Sequence, residues 1–243
     1  MNYRKAGIIA INLEEGNSLV NAVLTTGEQD VIIVTHNGMS IRFSESQMRT
    51  QGRNTIGVRG IKLREGDYVV AMAVVPEGET ATPAADDADE AAEATEPAAE
   101  EPAEEAVENG SAYSLLVVSE NGLGKRTKFG AYRLQSRGGI GIKTMNCTEK
   151  TGLVVSATTV TDADELMIMT SGGQSVRMKV NSIRTTGRTA QGVKLITLND
   201  KEAIQEITLV IPDDDEDDSP EDDATTTTEA EGETTAPDTE VQE

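Results

Sequence analysis

The sequence predicts an all-β fold of about three and a half propeller-type blades of four strands each, and three observations predict it. Three stretches of the chain align without gaps, starting at Val31, Ser114 and Glu165. Their apolar segments are five to eight residues long and rich in Val, Ile and Met, which is strand length and strand composition. Turn residues separate them, as Asn37-Gly38, Glu65-Gly66-Asp67, Asn121-Gly122 and Gly172-Gly173. Roughly four strands in each 50-residue repeat is the arithmetic of a propeller blade.

The repeat has a fixed frame. Counted from the turn glycines Gly38, Gly122 and Gly173, arginine recurs at +4, +11 and +15 and glycine at +19. The arginines are Arg42, Arg49 and Arg53 in the first unit, Arg126, Arg133 and Arg137 in the second, and Arg177, Arg184 and Arg188 in the third. The glycines are Gly57, Gly141 and Gly192. Each unit therefore reads as strand, turn, strand, then a basic connection that ends in glycine.

The elements follow in order. GIIAINLEEGNSLVNAVLTT from Gly7 aligns with the part of the first unit that starts at Gly57, so residues 1–75 are expected to hold half a blade and one full blade. Gly38 to Gly122 is 84 residues, against 51 from Gly122 to Gly173, which locates an insertion of about 33. Pro76 to Ala112, rich in Ala, Glu, Pro and Thr, accounts for it and is expected to be a disordered loop. Two further blades of the same domain are expected over residues 113–210, and a disordered acidic tail over 211–243. A four-stranded sheet cannot bury both faces alone, so the blades must stack, and the ends of the array are exposed.

The formal net charge of −22 argues against a polyanionic partner only on average. Residues 76–112 and 211–243 carry 13 and 15 acids and no base, leaving a body with 15 acids against all 21 bases. The chain is a basic body, about +6, with two acidic appendages. The longest apolar run, Val69 to Val75, is too short to span a bilayer, and the N-terminus lacks an apolar leader, so a cytoplasmic protein with no membrane partner is expected. A single cysteine, Cys147, excludes an internal disulfide and a cysteine-rich zinc site; it reads as a small strand hydrophobe. The single histidine, His36, reads as a turn residue. No nucleophile-base pair, metal cluster or nucleotide loop stands out, so neither catalytic nor metal-binding residues are expected.

Arginine pairs with phosphate through a rigid, permanently charged fork. Equivalent arginines in successive blades would line one curved basic edge that suits a DNA backbone. Lys125, next to Arg126, belongs to the same candidate set. Only Phe43, Phe129 and four tyrosines accompany it, too few for base stacking on single strands, so duplex backbone binding is favoured. Gly138-Gly139-Ile140-Gly141 offers either amides for a phosphate or simply a tight turn. Gly122-Leu123-Gly124-Lys125 lacks the Ser or Thr and the helix of a phosphate-binding loop. Asp213 to Asp218 lacks the glycine and terminal Glu of a calcium loop.

RKAGIIAINLEEGNSL from Arg4, GRNTIGVRGIKLREGD from Gly52 and ENGLGKRTKFGAYRLQSRGGIGI from Glu120 resemble the C-terminal β-pinwheel domain of DNA gyrase A, part of a bacterial type IIA topoisomerase. The resemblance covers about Arg4 to Val210 without the insertion, and is closer than that to the paralogous topoisomerase IV domain. It implies a propeller-like disc with strands exchanged between blades and a basic perimeter that wraps duplex DNA. It also implies the rest of gyrase A, and gyrase B, as partners, association with the bacterial chromosome, and ATP and magnesium used by other domains, with no cofactor in this chain. The family usually has six blades, so a chain of three and a half, without the breakage-reunion domain, looks like a fragment or a truncated product. Gln135-Ser136-Arg137-Gly138-Gly139-Ile140-Gly141 is similar to the gyrase-A box Q-R-R-G-G-K-G in five of seven positions, with Ser136 and Ile140 replacing basic residues. It is expected to be the equivalent loop of a later blade rather than the box. The catalytic tyrosine follows an arginine in the family, whereas Tyr132-Arg133 has the opposite order, so no strand cleavage is expected.

The expected function is wrapping of duplex DNA on the arginine edge in support of ATP-dependent negative supercoiling. The topoisomerase IV domain and a propeller that binds an acidic protein are the alternatives. The acidic tail is expected to compete with DNA for the basic edge or to act as a solubilising extension.

Overall fold

The computed structural model describes residues 7–79, 112–199 and 201–210. The expected disordered insertion, apart from its borders, and the expected tail lie outside the described residues. Eleven strands are described: β1 (Asp30–Thr35), β2 (Met39–Ser44), β3 (Val69–Val75), β4 (Tyr113–Ser119), β5 (Leu123–Thr127), β6 (Ile142–Lys143), β7 (Val154–Thr161), β8 (Glu165–Thr170), β9 (Ser175–Lys179), β10 (Val193–Lys194) and β11 (Ile204–Val210). The only described helices are single 3-10 turns after β2, β5 and β9.

Each unit begins with a hairpin, β1-β2, β4-β5 or β8-β9. The turn glycines Gly38, Gly122 and Gly173 have φ of 78°, 83° and 81°, a region that a side chain makes costly. The last long strand of each unit then returns to pair antiparallel with the first, as β3 on β1, β7 on β4 and β11 on β8.

The fourth strand comes from elsewhere. The sheet orders are β3-β1-β2-β6, β10-β5-β4-β7 and β11-β8-β9. β6 belongs to the second unit but completes the first sheet, with Met39 opposite Lys143 and Ser40 opposite Ile142. β10 of the third unit completes the second sheet in the same register, with Leu123 opposite Lys194 and Gly124 opposite Val193. The third sheet has three strands among the described residues, because no described unit follows to supply the fourth.

Stacking of neighbouring sheets provides the core. β4 faces both ways: Leu115 and Val117 pack with Ile32, Val34, Ala73, Phe129, Tyr132 and Met145, whereas Leu116 and Val118 pack with Leu166, Ile168, Val180 and Ile183. Burial on both faces explains why β4 reads as a continuous apolar run rather than an alternating one. Cys147 packs against the first of these clusters, and burial pushes its thiol pKa up. His36 stacks on Tyr68 with ring centroids 4.4 Å apart, and its Nδ1 lies 2.8 Å from the Val154 carbonyl. Both residues are part of the contact between the first two units.

The expected half blade forms no strand among the described residues. Residues 7–24 are irregular, and Ile8, Ile9, Leu19 and Leu24 are exposed. Backbone in an extended segment needs a hydrogen-bonded neighbour, and these residues have no described hairpin to pair with. Pro76 to Glu79, expected inside the insertion, instead lie against the first sheet, where the Glu79 carbonyl accepts from Arg42.

The exchanged strand requires glycine at +19. A Cβ on Gly192 would stand 2.6 Å from the Gly124 carbonyl oxygen, and one on Gly141 would collide with that of Ser40, both at positive φ. Gly66 has a similar φ of 75° with open space around it. Gly66→Ala is expected to cost about 1–2 kcal/mol of backbone strain, and Gly141→Ala clearly more; urea unfolding of the two variants checks the order.

Candidate nucleic-acid interface

The three repeated arginine positions do different work. At +4, Arg42 is 2% exposed and gives all its nitrogens to the protein: Nε to Asp30 at 2.9 Å, Nη1 to the Phe129 carbonyl at 2.9 Å and Nη2 to the Glu79 carbonyl at 2.6 Å. Arg126 is also buried, donating to the Ile183 carbonyl at 2.7 Å and to Asp162. The guanidinium holds the Asp162 carboxyl below the usual range, by hydrogen bond and by charge. Each side chain bonds a carbonyl in the next unit, so these arginines join blades. Lys125 is fully buried and caps the carbonyls of Gly187 and Arg188. Arg42, Arg126 and Lys125, expected on a DNA-binding edge, therefore face the interior. The strand they occupy is covered by the connection of the following unit. Arg177, at +4 of the third unit, has no described unit beside it; its side chain is 57% exposed and pairs with Glu165.

At +11 and +15 the side chains are more open, although the Nε atoms of Arg133 and Arg137 are buried without a hydrogen-bond partner among the described residues. Arg49, Arg53 and Arg184 are exposed, and Arg133, Arg137 and Arg188 are half-buried. The +15 residues also bridge units: Arg137 donates to the Arg59 carbonyl, and Arg188 Nη1 to the Lys143 carbonyl at 2.9 Å. Arg59 and Lys143 both stand at +21, as does Lys194, and all three are exposed. The sequence reading missed this basic position, because the count from the turn glycine stopped at Gly57, Gly141 and Gly192. Alternation explains it: in β6 and β10 the first residue turns inward and the lysine outward. The +15 arginine of the second and of the third unit thus touches the main chain of the +21 residue in the unit before it.

The box-like loop is committed to packing. Gln135 N donates to the Arg42 carbonyl at 2.8 Å, Arg137 N to Gln47 Oε1 at 2.8 Å and Gly138 N to the Gly60 carbonyl at 2.7 Å. The Gly139 carbonyl accepts from Lys62 N at 2.8 Å, and Gly141 lies on Ser40. The amides of Gln135, Arg137 and Gly138 thus serve the neighbouring unit; Ser136 and Ile140 are exposed. The Tyr132 hydroxyl is buried 2.7 Å from Thr144 Oγ1.

The DNA gyrase C-terminal domain family, a β-propeller, matches residues 2–26, 29–76, 113–161 and 164–210. The chain belongs to this family. Its four matched segments are the half unit and the three full units. Similar members include the DNA gyrase A of Deinococcus deserti, 40% identical over 205 residues, which are 84% of this chain and 22% of that protein. The DNA gyrase A of Staphylococcus aureus MRSA252 is 41% identical over 207 residues, 85% of this chain and 20% of that protein. The chain thus spans about a fifth of the length of these relatives. A solved DNA gyrase A C-terminal domain superposes with TM-score 0.66 at 25% identity, over 85% of this chain and 59% of that one. A DNA topoisomerase IV C-terminal domain superposes with TM-score 0.68 at 20% identity, over 86% and 55%, and shares the fold.

Two outcomes separate joint from surface. Arg42→Ala strands Asp30 and two carbonyls and is expected to cost about 3–5 kcal/mol. Arg49→Ala is expected to stay within about 0.5 kcal/mol; chemical denaturation reads both. Burial, with help from Arg188, lowers the Lys125 pKa to about 7. Between that value and about 10.5 the unfolded chain holds a proton that the folded chain lacks, so stability rises with pH. Unfolding midpoints measured from pH 7 to pH 10 are expected to show this rise, and Lys125→Met to remove its share.

Proposed function

We propose that this chain binds and wraps duplex DNA along its surface belt, as the DNA-wrapping part of a gyrase. The observation that carries the proposal is the direct contact between the +15 arginine of one unit and the +21 base of the preceding one. It joins Arg59 with Arg137 and Lys143 with Arg188, and in this reading nine bases on three units serve one DNA path: Arg49, Arg53, Arg59, Arg133, Arg137, Lys143, Arg184, Arg188 and Lys194. Family membership supports the DNA partner. Among the described residues no group of His, Cys, Asp and Glu could hold a metal, and no helix is long and apolar enough to cross a membrane.

Physical chemistry defines the mode. Bases spaced by the blade repeat match phosphates, not base edges, so binding is insensitive to sequence. Bending a short duplex costs several kcal/mol, which many simultaneous phosphate contacts offset. In this reading, DNA cleavage, ATP hydrolysis and supercoiling belong to the rest of gyrase A and to gyrase B.

If six to nine bases engage phosphates, the logarithm of affinity is expected to fall with the logarithm of salt at a slope of about −5 to −8. Arg184→Ala should reduce that slope by about 1 on any DNA sequence, whereas Lys150→Ala, an exposed base off the belt, should leave it unchanged. Fluorescence anisotropy with a labelled duplex measures both. A slope near −1, or no binding to naked DNA at moderate salt, would overturn the proposal in favour of a protein partner.

A further inference from the structure

In the second unit, the loop that carries the +15 arginine is held by a single side chain of the first. Gln47 is the last residue of the 3-10 turn Glu45–Gln47 that follows β2, and Ala131 and Ser182 stand at the same count in the other two units. Its carboxamide bonds in both directions: Oε1 accepts from Arg137 N at 2.8 Å, and Nε2 donates to the Gln135 carbonyl at 3.2 Å. A carboxamide carries the donor and acceptor of a peptide group, and these two bonds match those of one residue in a parallel ladder. The turn itself is tied to its own unit, since Glu45 accepts from Gly27 N at 2.8 Å and Gln29 N at 2.7 Å.

Arg137 is placed by this arrangement. Gln135 N on the Arg42 carbonyl and Gly138 N on the Gly60 carbonyl fix the loop on either side, and Gln47 fixes the residue between them. The guanidinium then rests with Nη1 on the Arg59 carbonyl, while Nη2 makes no hydrogen bond among the described residues. The next junction reaches the same end by other means. There Lys125 Nζ holds the carbonyls of Gly187 and Arg188, the +14 and +15 residues of the third unit. The first unit has Ile41 at the count of Lys125, a core residue with no donor to offer, and the second unit has Ala131 at the count of Gln47, with no carboxamide. Both described junctions therefore fasten the main chain of the +15 arginine, each with a different side chain.

We propose that Gln47 is a positioning residue for DNA binding, a role that rests on the DNA reading above. It carries no charge and meets no phosphate; it holds the Arg137 main chain so that the guanidinium is ready for one. An arginine that must be ordered on binding gives up part of its contact energy as conformational entropy, and one already held keeps it.

Fluorescence anisotropy with a labelled duplex tests this on the full chain, unaltered and as Gln47→Met, Arg137→Ala and the double variant. Methionine fills the space of glutamine but makes neither bond, and Gln47 is exposed, so the substitution leaves the core intact. Gln47→Met is expected to weaken binding about fivefold, and not to weaken it further once Arg137 is alanine. Added to Arg184→Ala, in the third unit, it should again cost its full factor, because independent sites add. Since glutamine is uncharged, a fall in the salt slope on its replacement, by up to about 1, reports the lost Arg137 contact. Duplex binding by Gln47→Met as tight as by the unaltered chain would overturn the proposal and leave the DNA reading standing, as would an equal loss in the Arg137→Ala background. Failure of the unaltered chain to bind duplex would overturn both.

Discussion

A two-residue strand handed across the boundary between units sets most of what is observed in this molecule. β6 and β10 bring only a few ladder hydrogen bonds each, yet placing them routes the whole connection of one unit over the second strand of the unit before it. That path buries the +4 arginine, brings the +15 arginine onto the preceding unit and forces glycine at +19. The core depends on it as well, since Met145 and Ile196 enter the two inter-unit clusters from those connections. Blade stacking and strand exchange are therefore one interaction.

The same constraint divides the charges. An arginine covered by the next connection loses water on all sides and is held only because carboxylates and carbonyls replace its solvation. An arginine on the outside of the connection keeps its charge available. Arg126 and Arg177 show the difference at one repeat position: the first is covered by the third unit and bonded to Ile183, the second is open and paired at the surface with Glu165.

Much of this was legible in the sequence. The glycine count located three hairpins, and the strand-length runs placed β1, β4 and β8 close to their observed bounds. Strand exchange was reached through the resemblance, because Ile142-Lys143 and Val193-Lys194 are too short to read as strands. Equal spacing of Arg42, Arg49 and Arg53 suggested equal roles, but burial of a side chain depends on a unit 80 or more residues away, as in Arg42 and Phe129. Arg59, Lys143 and Lys194 obey the same count two residues beyond the glycines. Residues 7–24 match the repeat in sequence and yet form no strand, since a strand is defined by a partner.

The central claim is that the belt from Arg49 to Lys194 carries duplex DNA on a curved path of one hand. The most direct measurement is the linking number of a nicked plasmid ligated with increasing amounts of this chain. The account predicts a shift of a single sign that grows with protein and disappears when Arg133 and Arg184 are replaced by glutamate. No shift at saturating protein would contradict it.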